Sequence, residues 1–223
     1  MAKRHPTYFP QGARLAVRNM TAFGNVQGQA AIYAELGAPA ASGQVVFGPQ
    51  DMTVAATSAT LAATYTGSEA QMGRFGRNVS VVGSGATTGT VTVRGRDYLQ
   101  QPMAEQFTLN GTTIVNGAKA FRYIDSVQYT ATASITLTVH TRGTFGLPYK
   151  FIALENEQKN GAPAANAGVF AAGLANSSAS TATSADVRGT YGPQTVVPDG
   201  VNTFTLRYYA DYNNAHGNAQ YFA

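Results

Sequence analysis

The stretch from Gly89 to Thr141 constrains the fold of this chain more than any other feature. In the run from Thr90 to Arg94 two valines alternate with polar residues, and the run from Ile135 to His140 repeats this pattern. A period of two places alternate side chains on opposite faces of a sheet. Two sheets with one apolar face each must cover one another. The stretch therefore predicts an all-β fold, an antiparallel β-sandwich or barrel.

Turn residues divide this stretch into hairpins. Asn110-Gly111 is a strong two-residue turn signal because both residues tolerate positive φ, and Asn116-Gly117 repeats it. Gln101-Pro102 is expected to interrupt the ladder between two strands, since proline lacks an N–H donor. We also expect the chain to turn around Asp125.

A chain of 223 residues can form one large β domain or two small ones, and all-β units of this length are often single. The interpretation divides the chain into an extended, proline-containing arm over residues 1–20 and a single β-sandwich domain over residues 21–223. Within that domain, residues 160–185 are of low complexity and are expected to form a flexible loop, or to become ordered against a neighbour. The last strand, Val201 to Asp211, leads into an aromatic tail.

Basic residues crowd the N-terminal arm, and no acidic residue precedes Glu35. This pattern is typical of an arm that lies on an acidic partner surface, although an ordinary solvated terminus explains it equally well. The residues concerned are Lys3, Arg4, Arg14 and Arg18.

The surface is expected to suit contacts between subunits. Charged residues make up 12% of the chain, half of the usual ~25%. Hydroxyl and amide groups are cheaper to bury than ions, so such a surface favours extensive association. In the aromatic tail, Tyr221 and Phe222 are candidate anchors on a neighbouring subunit, with a place in the domain's own core as the alternative.

The sequence offers little catalytic chemistry, and we expect no enzyme, cofactor or metal. The chain has no cysteine, and its three histidines have no neighbour at a metal-ligand spacing. A pairing of Asp97 with Glu105 across the first hairpin would bring two acids together, but both are expected to meet solvent on a polar strand face. The glycine-rich run from Gly83 to Gly89 lacks the lysine of a phosphate loop and precedes a strand. No basic, aromatic-interleaved patch points to nucleic acid, and no apolar run points to a membrane.

The run from Val91 to Val127 resembles a pattern found in structural proteins of tailed bacteriophages. That pattern is a strand ending in G-x-D, then E-x-[FI]-T-L-N-G-T, then V-x-G-x-K-A-F-x-x-I-x-S-V. The residues that carry it here are Gly95, Asp97, Glu105, Phe107, Thr108, Leu109, Asn110, Gly111, Thr112, Val115, Gly117, Lys119, Ala120, Phe121, Ile124, Ser126 and Val127.

The resemblance implies a capsid decoration, or cement, protein. Such proteins are β-sandwich or jelly-roll-like, form dimers or trimers, and bind the major capsid protein on the outside of the shell. The resemblance thus implies a protein made in the bacterial host cytoplasm and located on the capsid exterior of the virion. The alternative is a tail, fibre or receptor-binding β module that contacts host glycans. The arm residues above are the candidate shell contacts.

Overall fold

The computed structural model describes residues 13–16, 29–52, 59–60, 69–86, 88–131, 133–164, 168–172, 186–194 and 198–211. In these residues the chain is almost entirely β, so the prediction of an all-β fold is confirmed. The only helix within these ranges is the single turn α1 (Glu69–Met72). The strands are β1 (Ala13–Ala16), β2 (Gln29–Gly37), β3 (Val45–Met52), β4 (Ala59–Thr60), β5 (Arg77–Gly83), β6 (Gly89–Arg96), β7 (Pro102–Thr108), β8 (Val115–Asn116), β9 (Tyr123–Ala131), β10 (Ile135–Gly146), β11 (Phe151–Lys159), β12 (Ala162–Pro163), β13 (Val169–Ala172), β14 (Gly189–Gly192) and β15 (Phe204–Asp211).

The described strands form three antiparallel sheets. The first sheet has the order β1-β2-β15-β11-β12, and the third has the order β4-β9-β6-β7. The second sheet has the order β13-β14-β10-β5-β8, and β3 also pairs with β10. Strand β10 is long enough to pair with β3 and β5 along its first half and with β14 at its end.

One hydrophobic core is formed by residues of the second and third sheets. Val91 and Val93 of β6 are fully buried, and so are Leu137 and Val139 of β10. Along β10 buried and partly exposed residues alternate over Ile135 to Arg142, as the period-two pattern predicts. Each such side chain contributes about 1.5–3 kcal/mol by leaving water.

A second core lies under the inner face of the first sheet. Strands β2 and β15 supply Ile32 and Leu206, and Phe145 and Tyr191 cover them from β10 and β14. The opposite face of the first sheet carries partly exposed residues, among them Tyr33. The chain therefore builds two adjoining cores, with β10 contributing to both.

The first predicted turn is present, but it does not close a hairpin. The Thr113 N–H donates to the Asn110 carbonyl at 2.9 Å, and Gly111 takes a φ of +57°. Strand β8 then pairs with β5 of the second sheet and does not return to β7. The prediction that Asn116-Gly117 repeats the turn is wrong: the Gly117 N–H donates to the Val79 carbonyl at 2.8 Å and continues that pairing.

Two further local predictions are wrong. Strand β7 starts at Pro102, which pairs with Arg96, so the ladder includes the proline as its first residue. Asp125 lies inside β9, at a register shift where Gly95 pairs with Ile124 and Arg94 with Ser126. The extra residue produces a β-bulge there and no turn.

The predicted arm and loop each contain strand residues. Strand β1, within the predicted arm, pairs with β2 at the edge of the first sheet. Strands β12 and β13 fall within the predicted loop of residues 160–185. Residues 1–12, 17–20, 173–185 and the tail at 212–223 lie outside the described residues.

The far-ultraviolet circular dichroism spectrum is expected to be dominated by β-strand, with helix below about a fifth of residues. The reason is that the described residues contain one turn of helix. A helix content near one third, typical of mixed domains, would contradict this architecture.

Candidate functional site

The most chemically distinctive feature of the described residues is a buried charge cluster formed by Asp97, Glu105, Lys119, Asp186 and Arg188, all at most 1% exposed. Arg188 donates from Nη1 to Asp97 Oδ2 at 2.7 Å, and its guanidinium lies 4.9 Å from the centre of the Tyr98 ring. Asp186 accepts the Arg188 N–H through Oδ1 at 3.0 Å and the Ala120 N–H through Oδ2 at 3.1 Å. The cluster thus joins segments that lie far apart in the sequence.

Asp97 fixes the turn between β6 and β7. Its Oδ1 accepts the N–H groups of Leu99 at 2.8 Å and Gln101 at 2.9 Å. Gln100 takes a φ of +65°, a left-handed conformation that this turn requires. Because the other carboxylate oxygen binds Arg188, one side chain holds both the turn and the contact with the 186–188 segment.

Glu105 ties β7 to the segment that follows β8. Its Oε1 accepts the N–H of Ala118 at 2.7 Å, and Lys119 donates from Nζ to the Ala104 carbonyl at 2.9 Å. Gly117 is required here, because a Cβ at this position would overlap the Glu105 carboxylate and would lie 2.9 Å from the Phe107 ring. The edge of the third sheet is therefore joined to the second by polar contacts.

Burial governs the ionisation of this cluster. It raises the pKa of Glu105 to about 8, in spite of the hydrogen bonds from Ala118 and Lys119. Burial likewise lowers the pKa of Lys119. Burial alone would lower the pKa of Arg188, but the carboxylates of Asp186 and Asp97 outweigh it and hold this pKa above its usual range.

The expectation that Asp97 and Glu105 meet solvent is wrong. Both are buried, at 1% and 0% exposure, because the 117–120 and 186–188 segments supply donors to them. General acid–base chemistry requires a substrate within hydrogen-bond reach. Carboxylates enclosed in this way and occupied by N–H donors act instead as links between sheets.

Two other buried polar groups join separate segments of the chain. Arg77 donates from Nε to the Arg142 carbonyl at 2.6 Å and from Nη1 to the carbonyls of Ala40 and Gln71 at 2.8 and 2.9 Å. Tyr191 donates to Glu157, whose second oxygen accepts the Gly168 N–H at 2.6 Å. Sequence reasoning missed both, since neither arginine nor glutamate carries a local signature of burial.

The predicted contact residues are not brought together by the described structure. Lys3, Arg4, Arg18, Tyr221 and Phe222 lie outside the described residues. Arg14 belongs to β1, where its backbone pairs with Tyr33.

An open groove of about 210 Å³ lies on the outer face of the first sheet, lined by Tyr33, Asn156, Gln158, Thr205 and Arg207. Arg207 pairs with Tyr33 on one side and with Asn156 on the other, so these three form a row across the sheet. Thr205 pairs with Gln158 in the next row. Sequence reasoning did not identify this groove.

Two kinds of feature are absent from the described part of the chain. It contains no group of three His, Asp or Glu residues arranged to hold a metal ion. It also contains no helix long and apolar enough to cross a membrane.

Comparison of the chain with models of protein families, with curated proteins and with solved structures gave no match. The function must therefore be argued from the geometry and the sequence pattern.

Proposed function

We propose that this protein is a structural component of a tailed-bacteriophage virion: a cement protein that binds the outer surface of the capsid. It bridges major capsid subunits and stabilises the expanded head, as a dimer or trimer. In this role it catalyses no reaction, needs no cofactor, and contacts neither nucleic acid nor membrane.

The observation that supports the proposal is that several residues of the phage-like pattern come together in the folded chain. Asp97, Glu105 and Lys119, three of its members, belong to the buried charge cluster. Gly117, a fourth, makes room for the Glu105 carboxylate. A shared pattern with such contacts specifies a shared fold, and the fold we propose is a jelly-roll-like sandwich of the second and third sheets.

The distribution of charge supports a binding role. The side chains of the buried charge cluster lie inside the protein, and the chain as a whole contains few charged residues. Outside the groove of the first sheet, several large apolar side chains are exposed: Val45, Ile114, Ile152, Val169 and Val201. Such a surface is cheap to desolvate against a partner. Because buried hydrogen bonds and ion pairs hold the framework in place, the protein loses little further conformational freedom on binding.

The mechanism is thermodynamic. A protein that binds only the expanded lattice stabilises that state by mass action. Because the protein bridges neighbouring capsomers, its contacts act together, and multivalency raises the overall affinity above that of each weak contact.

Adding the purified protein to expanded shells that lack it is expected to restore their resistance to heat. Binding should saturate at one stoichiometry per lattice site, because every site is equivalent. The measurement is quantitative mass spectrometry of washed particles together with the temperature of DNA release. If the protein ignores expanded shells and occurs in only a handful of copies per virion, the tail or fibre role replaces this proposal.

A charge-reversal variant tests the predicted shell contact. Arg14→Glu should weaken rebinding, and the loss should shrink as salt rises, because salt screens the attraction between an arm and an acidic partner surface over ~10 Å at ordinary ionic strength. Lys159→Glu is the matched control, because it makes the same change of charge on β11, which lies three strands away from β1 in the first sheet. Equal weakening by both variants would point to net charge and would contradict a specific contact at Arg14.

A further inference from the structure

The groove on the outer face of the first sheet has a firmly supported lining. The groove lies on the adjacent strands β2, β15 and β11. On the opposite, inner face of these strands, the described residues include members of the second core and Glu157, which contacts Tyr191. Side chains on such strands are held more firmly than side chains on loops. The groove is therefore pre-organised for a ligand.

The lining combines an aromatic ring with planar polar groups. Tyr33 is 39% exposed and presents a ring to the groove. The amides of Asn156 and Gln158 both donate and accept hydrogen bonds, and so does the Thr205 hydroxyl, whereas a guanidinium only donates. This mixture suits a ligand whose every polar group both donates and accepts, which is the property of a hydroxyl.

The charge of the groove is balanced. Arg207 Nε lies 2.9 Å from Glu155 Oε2, so its charge is already paired. A single-stranded nucleic acid requires a groove with excess positive charge. The five residues that line this groove carry one positive charge, and Glu155 pairs with it. The exposed ring and the polar row also leave no continuous apolar strip for an amphipathic helix.

We propose that this groove binds a neutral oligosaccharide, with one pyranose ring stacked on Tyr33. The C–H face of a pyranose carries partial positive charge and fits the negative face of an aromatic ring. Its hydroxyls are positioned to meet Asn156, Gln158 and Thr205. The groove holds one sugar ring, and because it is open, further rings extend along the sheet. This activity goes beyond capsid binding and does not depend on it.

The test uses the full-length chain and a panel of neutral hexasaccharides of glucose, mannose and N-acetylglucosamine with different linkages. Titration calorimetry should show binding of at least one of them, with little dependence on salt. Tyr33→Ala should weaken that binding about tenfold or more, since it removes the stacking surface. Tyr33→Phe should retain most of it, because the ring remains.

Tyr123→Ala is the matched control, since Tyr123 lies on the third sheet with its ring against Arg96 and Arg122. It removes an aromatic ring from another surface and should leave saccharide binding unchanged. Thermal unfolding of each variant verifies that it is folded. The proposal is overturned if no neutral hexasaccharide binds, if Tyr33→Ala binds as the wild type does, or if only acidic saccharides bind in a salt-sensitive way. Rebinding of the Tyr33→Ala variant to expanded shells separates this result from the outcome of the capsid experiment.

Discussion

Replacing Arg188 with alanine is expected to lower the free energy of unfolding by about 3–5 kcal/mol, because the substitution leaves buried carboxylates without their cation. Arg188 Nη1 lies 2.7 Å from Asp97 Oδ2, and the two side chains are 0% and 2% exposed. Asp186, which accepts the Arg188 N–H, lies in the same cluster. Urea unfolding at neutral pH, followed by circular dichroism, measures the difference.

An exposed ion pair provides the control. Arg96 Nη2 lies 2.8 Å from Asp125 Oδ1, a similar distance, but these side chains are 42% and 45% exposed. Arg96→Ala is therefore expected to cost less than about 1 kcal/mol. The double variant Asp97→Ala, Arg188→Ala should be less unstable than the sum of the single variants, since each partner is left uncompensated only when the other remains. A loss below about 1 kcal/mol for Arg188→Ala would contradict the importance of the cluster.

The sequence predicts the class of fold because the relevant signal is local. Alternation in the run from Ile135 to His140 sets which side chains of β10 face a core, and the structure buries Leu137 and Val139 accordingly. The Asn110-Gly111 turn is similarly local, since positive φ at Gly111 depends on that residue alone.

Local patterns fail where a distant segment supplies the partner. Alternation places Asp97 and Glu105 on a polar face, and a polar face ordinarily meets water. The groups that cover Asp97 come from Arg188, 91 residues away in the chain. In the same way Asn116-Gly117 has the composition of a turn, but its pairing with β5 decides its conformation.

The groove shows the same limit. Alternation within β2 indicates that Tyr33 and Ile32 point to opposite faces, and the structure buries Ile32 and exposes Tyr33. It does not indicate that β15, near the end of the chain, lies beside β2 and places Arg207 next to Tyr33. A groove built from three strands that lie far apart in the sequence is set by topology, which no single segment encodes.

The free energy of unfolding is expected to contain a component that falls as pH rises from 4.5 to about 8, contributed by Glu105. Burial raises the pKa of its carboxyl from the ordinary value of 4.5 to about 8 in the folded protein. Over this interval the folded chain keeps a proton that the unfolded chain releases. The stability from Glu105 is therefore fully present below pH 4.5 and is lost as pH rises through 8, by at most about 1.4 kcal/mol per pH unit.

The Glu105→Gln variant isolates this component, because glutamine keeps an oxygen for the Ala118 N–H and cannot ionise. Subtracting its free energy of unfolding from that of the wild type, at each pH from 5 to 8, should give a difference that declines steadily. Contributions shared by both chains cancel in the subtraction. Among them is His140, whose pKa is lowered by burial and by Arg142 and whose stabilising effect is lost as pH falls below 6.5.

Asp125→Asn serves as the matched control for this experiment. It replaces one carboxylate by its amide, as Glu105→Gln does, but at a side chain that is 45% exposed, so it reports the effect of removing one negative charge from the surface. Two charged groups, Lys119 and Asp186, act on Glu105 with opposite signs, so burial is the cause that decides the direction of its pKa. A flat curve for Glu105→Gln would mean that the carboxylate stays ionised, held by Lys119 and by the backbone donors. The charge cluster would then be a set of permanent ion pairs, and the protein would lose no stability from it between pH 5 and 8.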